Sequence, residues 1–183
     1  AVELKADRDI VLAAVKDHGG TLQDVSMELR ADREVVLTAV KENGEALQDA
    51  SEELRADREV VLAAVKDYGG TLQFASMDLR ADGEVVLAAV RGNGWALQYA
   101  SVELRADRNI VLAAVTKHGL ALQFASEELK ADREIVFTAF SHRCTVQPTP
   151  FHRLVGFDRT VLEVLRGEKT AKEILKEETR RQQ

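Results

Sequence analysis

Residues 53–65 read ELRADREVVLAAV, and the chain says nearly the same thing again and again. ELKADRDIVLAAV fills 3–15 and ELRADRNIVLAAV fills 103–115. Leu4, Leu29, Leu54, Leu79, Leu104 and Leu129 lie 25 residues apart, as do Asp7, Asp32, Asp57, Asp82, Asp107 and Asp132. Gly19, Gly44, Gly69, Gly94 and Gly119 keep this period, and so do Gln23, Gln48, Gln73, Gln98 and Gln123. A fixed period of this size is the mark of a stacked array. Five full units and a sixth half-unit are present. Alternate units are closer kin: GGTLQ then SM marks the first and third, NG then ALQ the second and fourth. That points to duplication of a two-unit block.

Each unit reads as two helices. The Asp of RAD suits an N-cap, because its carboxylate accepts the free N–H groups of a first turn. An acid two positions on, as in Asp7 and Asp9, suits the positive end of the helix dipole. The IVLAAV or VVLAAV run gives about three turns. Val and Ile also favour strands, but the alanine doublet, the caps and the length favour helix. Gly19 and its equivalents stand where a left-handed residue would end that helix. A second, shorter helix is expected over 21–29, TLQDVSMEL.

The first helix is apolar almost all round, with Val36, Leu37, Ala39 and Val40 in one copy. One unit cannot cover such a helix, so neighbours stack and share a core. The expected fold is all-α: an αα solenoid of 25-residue two-helix repeats. At roughly 10 Å per layer it would be a rod or arc of about 50–60 Å.

The expected organisation is a solenoid over 1–143, a proline-containing linker over 144–157 and a helical tail or cap over 158–183. Pro148 and Pro150 favour an extended link. Asp158 and the Thr170–Glu173 spacing suit helix starts. Ala1 and Val2 align with Ser26 and Met27, so the sequence opens inside a unit. The expectation is a processed or truncated piece, or a first repeat docked on something else.

These residues resemble an uncharacterised tandem-repeat family of unknown function, found in algal and some intracellular-bacterial proteins. Its units look like ELRADREVVLAAVKxNGxALQxAS, and the likeness runs from Glu3 to about Ala139. The resemblance implies a helical repeat and brings no activity or catalytic residues. The start and tail both look unfinished alone, so an accessory subunit of a large assembly is expected, and the algal resemblance implies an organellar assembly such as a photosynthetic complex.

Copies within the chain separate scaffold from variation. Asp, Leu, Val, Gln and Gly hardly move; caps, core, turns and a buried hydrogen bond from each Gln would explain them, and the Gln row is alternatively a polar binding ladder. One variable set holds His18, Asn43, Tyr68, Asn93 and His118. A second holds Gly20, Glu45, Gly70, Trp95 and Leu120. A third holds Asp24, Asp49, Phe74, Tyr99 and Phe124, one α-helical turn further and so on the same face. Met27, Glu52, Met77, Val102 and Glu127 extend it. Later units carry the bulk: Tyr68, Phe74, Met77, Trp95, Tyr99, Val102, Leu120 and Phe124 form the candidate protein-binding strip, the alternative being that they pack between adjacent repeats or under the C-terminal tail.

Other chemistry is thin. No nucleotide-binding or zinc-protease motif occurs. His142, Cys144 and His152 make a poor metal set, lacking a fourth ligand. Acid–base pairs such as Glu28 and Arg30 read as a solvated face. The formal charge of −6 comes without a basic stripe, against phosphate-rich partners. The lone Cys144 cannot form an intrachain disulfide, and no apolar run nears a membrane span. The expectation is a soluble, non-enzymatic scaffold, intracellular or organellar rather than secreted. It would bind other protein subunits, with no cofactor, metal, nucleic acid or small-molecule substrate. The alternative is a repeat-type nucleic-acid-binding protein, with one variable set per repeat.

Overall fold

The computed structural model describes residues 7–17 and 19–141. The chain divides after Arg143, so the described residues belong to its first unit. The expected linker and tail helices, the His142–Cys144–His152 set and the chain start fall outside the described residues.

Six long α-helices recur at the repeat period: Arg8–Asp17, Arg33–Glu42, Arg58–Asp67, Gly83–Gly92, Arg108–Lys117 and Arg133–Ser141. No strand occurs among the described residues. Each Asp is the cap that was expected. Asp57 Oδ1 accepts from the N–H groups of Glu59 and Val60 at 2.9 and 3.1 Å, and Asp32, Asp82, Asp107 and Asp132 repeat this.

The second helix is made in two pieces. A 3-10 segment comes first: Gly19–Asp24, Gly44–Asp49, Gly69–Phe74, Gly94–Tyr99 and Gly119–Phe124. A single α-turn follows in four repeats: Met27–Arg30, Glu52–Arg55, Met77–Arg80 and Glu127–Lys130. In the fifth copy it is a 3-10 turn, Leu104–Ala106. The break has a local cause. Ala50 and Ser51 both take extended ψ, near 155° and 160°, and Ser51 Oγ then caps the new turn at the Leu54 N–H. A serine that caps a later turn cannot also continue an earlier helix.

Two layers result. Long helix packs on long helix, and 3-10 segment on 3-10 segment. Every 3-10 segment also touches the long helix of its own repeat and that of the next. Between the layers Leu22, Leu47, Leu72, Leu97 and Leu122 are fully buried, with paired valines such as Val60 and Val61. The short turns are tied across repeats by backbone bonds: Ser51 N–H donates to the Arg30 carbonyl at 3.0 Å, and Ser76, Ser101 and Ser126 do the same to Arg55, Arg80 and Arg105.

The repeated glycine does a different job from the one expected. Gly44, Gly69, Gly94 and Gly119 have no left-handed backbone; they start the 3-10 segments. The residue before each glycine ends the long helix in an extended conformation, as at Asn43 with φ −150° and ψ 106°. The glycine is required by proximity. A Cβ on Gly44 would meet the Ala64 carbonyl oxygen of the next repeat at 2.6 Å. The same atom on Gly69, Gly94 or Gly119 would strike Ala89, Ala114 or Ala139 closer still. That carbonyl is backbone and cannot step aside cheaply.

A ladder of arginines also links the repeats. Arg8 Nε pairs with Asp32 at 2.8 Å, Arg33 with Asp57 at 2.8 Å, Arg58 with Asp82 at 3.1 Å and Arg108 with Asp132 at 3.7 Å. The same guanidinium reaches a second carboxylate: Glu34, Glu59, Glu84 or Glu134. These pairs, rather than Glu28 with Arg30, are the cross-repeat ion pairs; Arg30 instead donates to the Val25 carbonyl at 3.0 Å. The Arg33 guanidinium holds the Asp57 carboxyl below its ordinary value of 3.8, as Arg8 does for Asp32. At Asp82 the first cause is the backbone N–H of Val85. A depressed carboxyl adds stability that is present above its unfolded value and lost as pH falls through its folded value. The arginine-held carboxyls of Asp32 and Asp57 therefore lose this contribution only as pH falls through their lowered folded values.

One rung is missing. Gly83 stands where the arginine would reach Asp107, and Asn109 replaces the second carboxylate. A Cβ on Gly83 would find open space, its nearest neighbour being Leu104 at 3.9 Å.

Two outcomes follow from this packing. Gly94→Ala should destabilise the array by at least about 2 kcal/mol, whereas Gly20→Ala, whose Cβ meets only the Asn43 side chain at 3.7 Å, should cost far less. Chemical denaturation of both variants measures the contrast. In a double-mutant cycle, Gly83→Arg with Asn109→Glu should show a favourable coupling of about 0.5–1 kcal/mol, fading as added salt screens it. Zero coupling at neutral pH would mean the rungs are ornamental.

Candidate functional site

The eight residues singled out from sequence lie on the 3-10 segments, the turns before them and the short turns after them. The fold divides them into two kinds. Tyr68, Met77 and Val102 are exposed, at 46%, 77% and 68%. Phe74, Trp95, Tyr99, Leu120 and Phe124 are half-buried. Met27 at 79% joins the exposed set, on the same row as Met77 and Val102, although it was not among the eight.

The expected same-face argument needs correction. In a 3-10 helix three residues make a turn, so positions three apart are eclipsed and positions four apart are not. Trp95 is therefore in line with Gln98, not with Tyr99. Aromatic contact runs across repeats instead. Trp95 meets Phe124 of the next repeat edge-to-face, with ring centroids 5.8 Å apart and planes at 69°. It also meets the His118 ring at 6.4 Å, tilted by 42°. His118 Nδ1 accepts the Gly94 N–H at 3.1 Å. In an earlier repeat the Gly44 N–H goes to Asp67 at 2.8 Å. The ring cluster thus sits at the junction where the arginine rung is absent. Elsewhere the second variable position is smaller, as with Gly20 beside Asn43. Gly70 is buried, and a Cβ there would strike the Tyr68 ring, which lies over it.

The glutamine row is also placed differently from expectation. Gln23, Gln48, Gln73 and Gln98 are exposed and Gln123 is half-buried. Sequence reasoning gave them a buried hydrogen bond because they never vary. The fully buried place beside each belongs to the leucine before it, as with Leu97 and Gln98. The signal that could have found this is the 3-10 period, which puts Gln98 under Trp95.

Acidic residues gather at the other end of the face: Glu45 and Glu52 are exposed and Asp49 is half-buried. Among the described residues no three His, Cys, Asp or Glu side chains are grouped to hold a metal ion. Among them, too, no helix is long and apolar enough to cross a membrane.

The fold and this face define an all-α repeat solenoid with one variable surface. A family model described as a domain of unknown function, DUF4116, matches residues 7–55, 57–105 and 107–146. The chain belongs to that family. The first two matches each span two of the 25-residue repeats and the third spans the fifth repeat with the sixth half-unit, in keeping with the pairwise kinship of alternate units. No curated protein and no solved structure gives a significant match.

The two kinds of side chain should respond differently to truncation. Trp95→Ala should cost about 1–3 kcal/mol, through the lost ring pair and part-buried area. Met77→Ala should stay within about 0.5 kcal/mol. Denaturant midpoints of the two variants give the comparison.

Proposed function

We propose that this protein is a non-enzymatic scaffold, an accessory subunit that binds another protein through the later repeats. The observation that carries this reading is the exposure of Tyr68, Met77 and Val102 beside the half-buried Trp95–Phe124 pair. Large apolar side chains gathered in water favour association, because a partner removes their surface from solvent. Tyr68, Met77 and Val102 stand at positions the repeat leaves free to change and lie outside its core, while Trp95 and Phe124 both join two repeats and leave part of their rings in solvent. The rigid aromatic pair offers an anchor with little entropy left to lose. Among the described residues the charged groups recur alike from unit to unit, which favours a framework over a reaction centre with a few groups in unusual settings.

The test uses the full chain as bait, wild type against Met77→Glu/Val102→Glu, with captured proteins identified by mass spectrometry. A partner kept by the wild type and lost by the variant, at unchanged helix content by circular dichroism, is the expected result. Identical capture by both would sink the reading.

A further inference from the structure

The invariant glutamines have no task inside the fold. Other constant polar and packing positions have one: Asp caps the long helix, Leu fills the core, Ser51, Ser76, Ser101 and Ser126 cap the short turns, and Gly admits the next helix's carbonyl. Gln23, Gln48, Gln73 and Gln98 stand in solvent, on the same segments where the neighbouring residues change freely. Because the 3-10 segments stack one on the next, the glutamines form a row along the array. Eclipsing within each segment lines Gln98 up with Trp95, Gln123 with Leu120 and Gln48 with Glu45.

A primary amide both donates and accepts, which is what a peptide group requires of a partner. Spacing narrows the choice of backbone. Packed helical layers sit about 8–10 Å apart. A polyproline II strand advances about 3.1 Å per residue with three residues per turn, so like groups recur about every 9 Å. Its carbonyls make no internal hydrogen bonds. A β-strand repeats every second residue, at about 6.6–6.8 Å, and falls out of step with the row. Aromatic side chains such as Trp95 and Tyr99 are also what polyproline II ligands dock against. Acids at the variable positions are densest on the second repeat, with Glu45, Asp49 and Glu52, against Glu127 alone on the fifth, where Leu120 and Phe124 follow Trp95 of the fourth; no Lys or Arg stands at these positions, and the excess of acid sets a direction.

We infer that the partner supplies a proline-rich segment in the polyproline II conformation, lying along the 3-10 layer. One of its carbonyls would meet each glutamine, its basic end over the second repeat and its apolar end over the fourth and fifth. This rests on the protein-binding reading above and adds the chemistry of what is bound.

The probes are fluorescein-labelled peptides of repeated Pro-Pro-Leu triplets, with a lysine run at the N-terminal end in one and the C-terminal end in the other. Binding to the full chain is followed by anisotropy. One lysine order should bind more tightly than the other, and replacing proline by glycine should weaken it about tenfold. Gln73→Ala/Gln98→Ala/Gln123→Ala should weaken it about tenfold or more at unchanged helix content. Glu45→Gln/Asp49→Asn should cut its salt dependence and leave a lysine-free peptide unaffected. Equal binding by the triple glutamine variant overturns the proposal, as does tighter binding of the glycine peptide. Salt-sensitive binding of oligouridine in place of either peptide also overturns it. If the peptides fail while partner capture still depends on Met77 and Val102, the ligand chemistry is wrong and the scaffold reading stands. If both fail, the face itself is wrong.

Discussion

Everything in the array depends on how closely a glycine in one repeat approaches a helix in the next. The carbonyls of Ala64, Ala89, Ala114 and Ala139 each lie where the glycine's side chain would have been. That approach seats the start of every 3-10 segment against the last turn of the following long helix. It lets one segment touch two long helices at once, so the leucine it carries is sealed from both sides. Larger residues at these glycines would push the layers apart and open the core between them, because packed interiors take up added volume poorly.

Polar links then fix what packing brings together. Asp32, Asp57, Asp82 and Asp132 each serve two neighbours: one oxygen caps its own helix and the other takes the arginine of the repeat before. Exposed ion pairs contribute little singly, but here each shares a carboxylate already held by backbone N–H groups. At the fourth-to-fifth junction the arginine and the second acid are both gone. Trp95, His118 and Phe124 gather at that junction. A contact between rings has replaced a contact between charges, and it has moved the link from the long-helix layer to the 3-10 layer. The aromatic anchor of the proposed binding face is thus also part of what joins two repeats.

The face itself combines constancy with change. Side chains around each glutamine vary from acid to aromatic along the array, while the amide stays. A scaffold with a fixed polar row and changeable neighbours can hold a backbone generally and select side chains locally. That separation of roles is what a surface for an extended polypeptide segment requires.

The sequence by itself determined the period, the long helices and their Asp caps, and the sharing of one core between units. Those depend on local chemistry and on a spacing that can be counted along the chain. Only the tertiary structure decided why the glycines are there, since the atom that forbids a side chain at Gly44 belongs to Ala64 in the next unit. It also tied the serine at the break in the second helix, a local cap, to a carbonyl of the repeat before, and the 3-10 segment that results moved Trp95 from the side of Tyr99 to that of Gln98. The same break turned the glutamines out to water and set Trp95 against Phe124, 29 positions further along. Neighbours across a stack share no local period, so counting along one helix cannot find them.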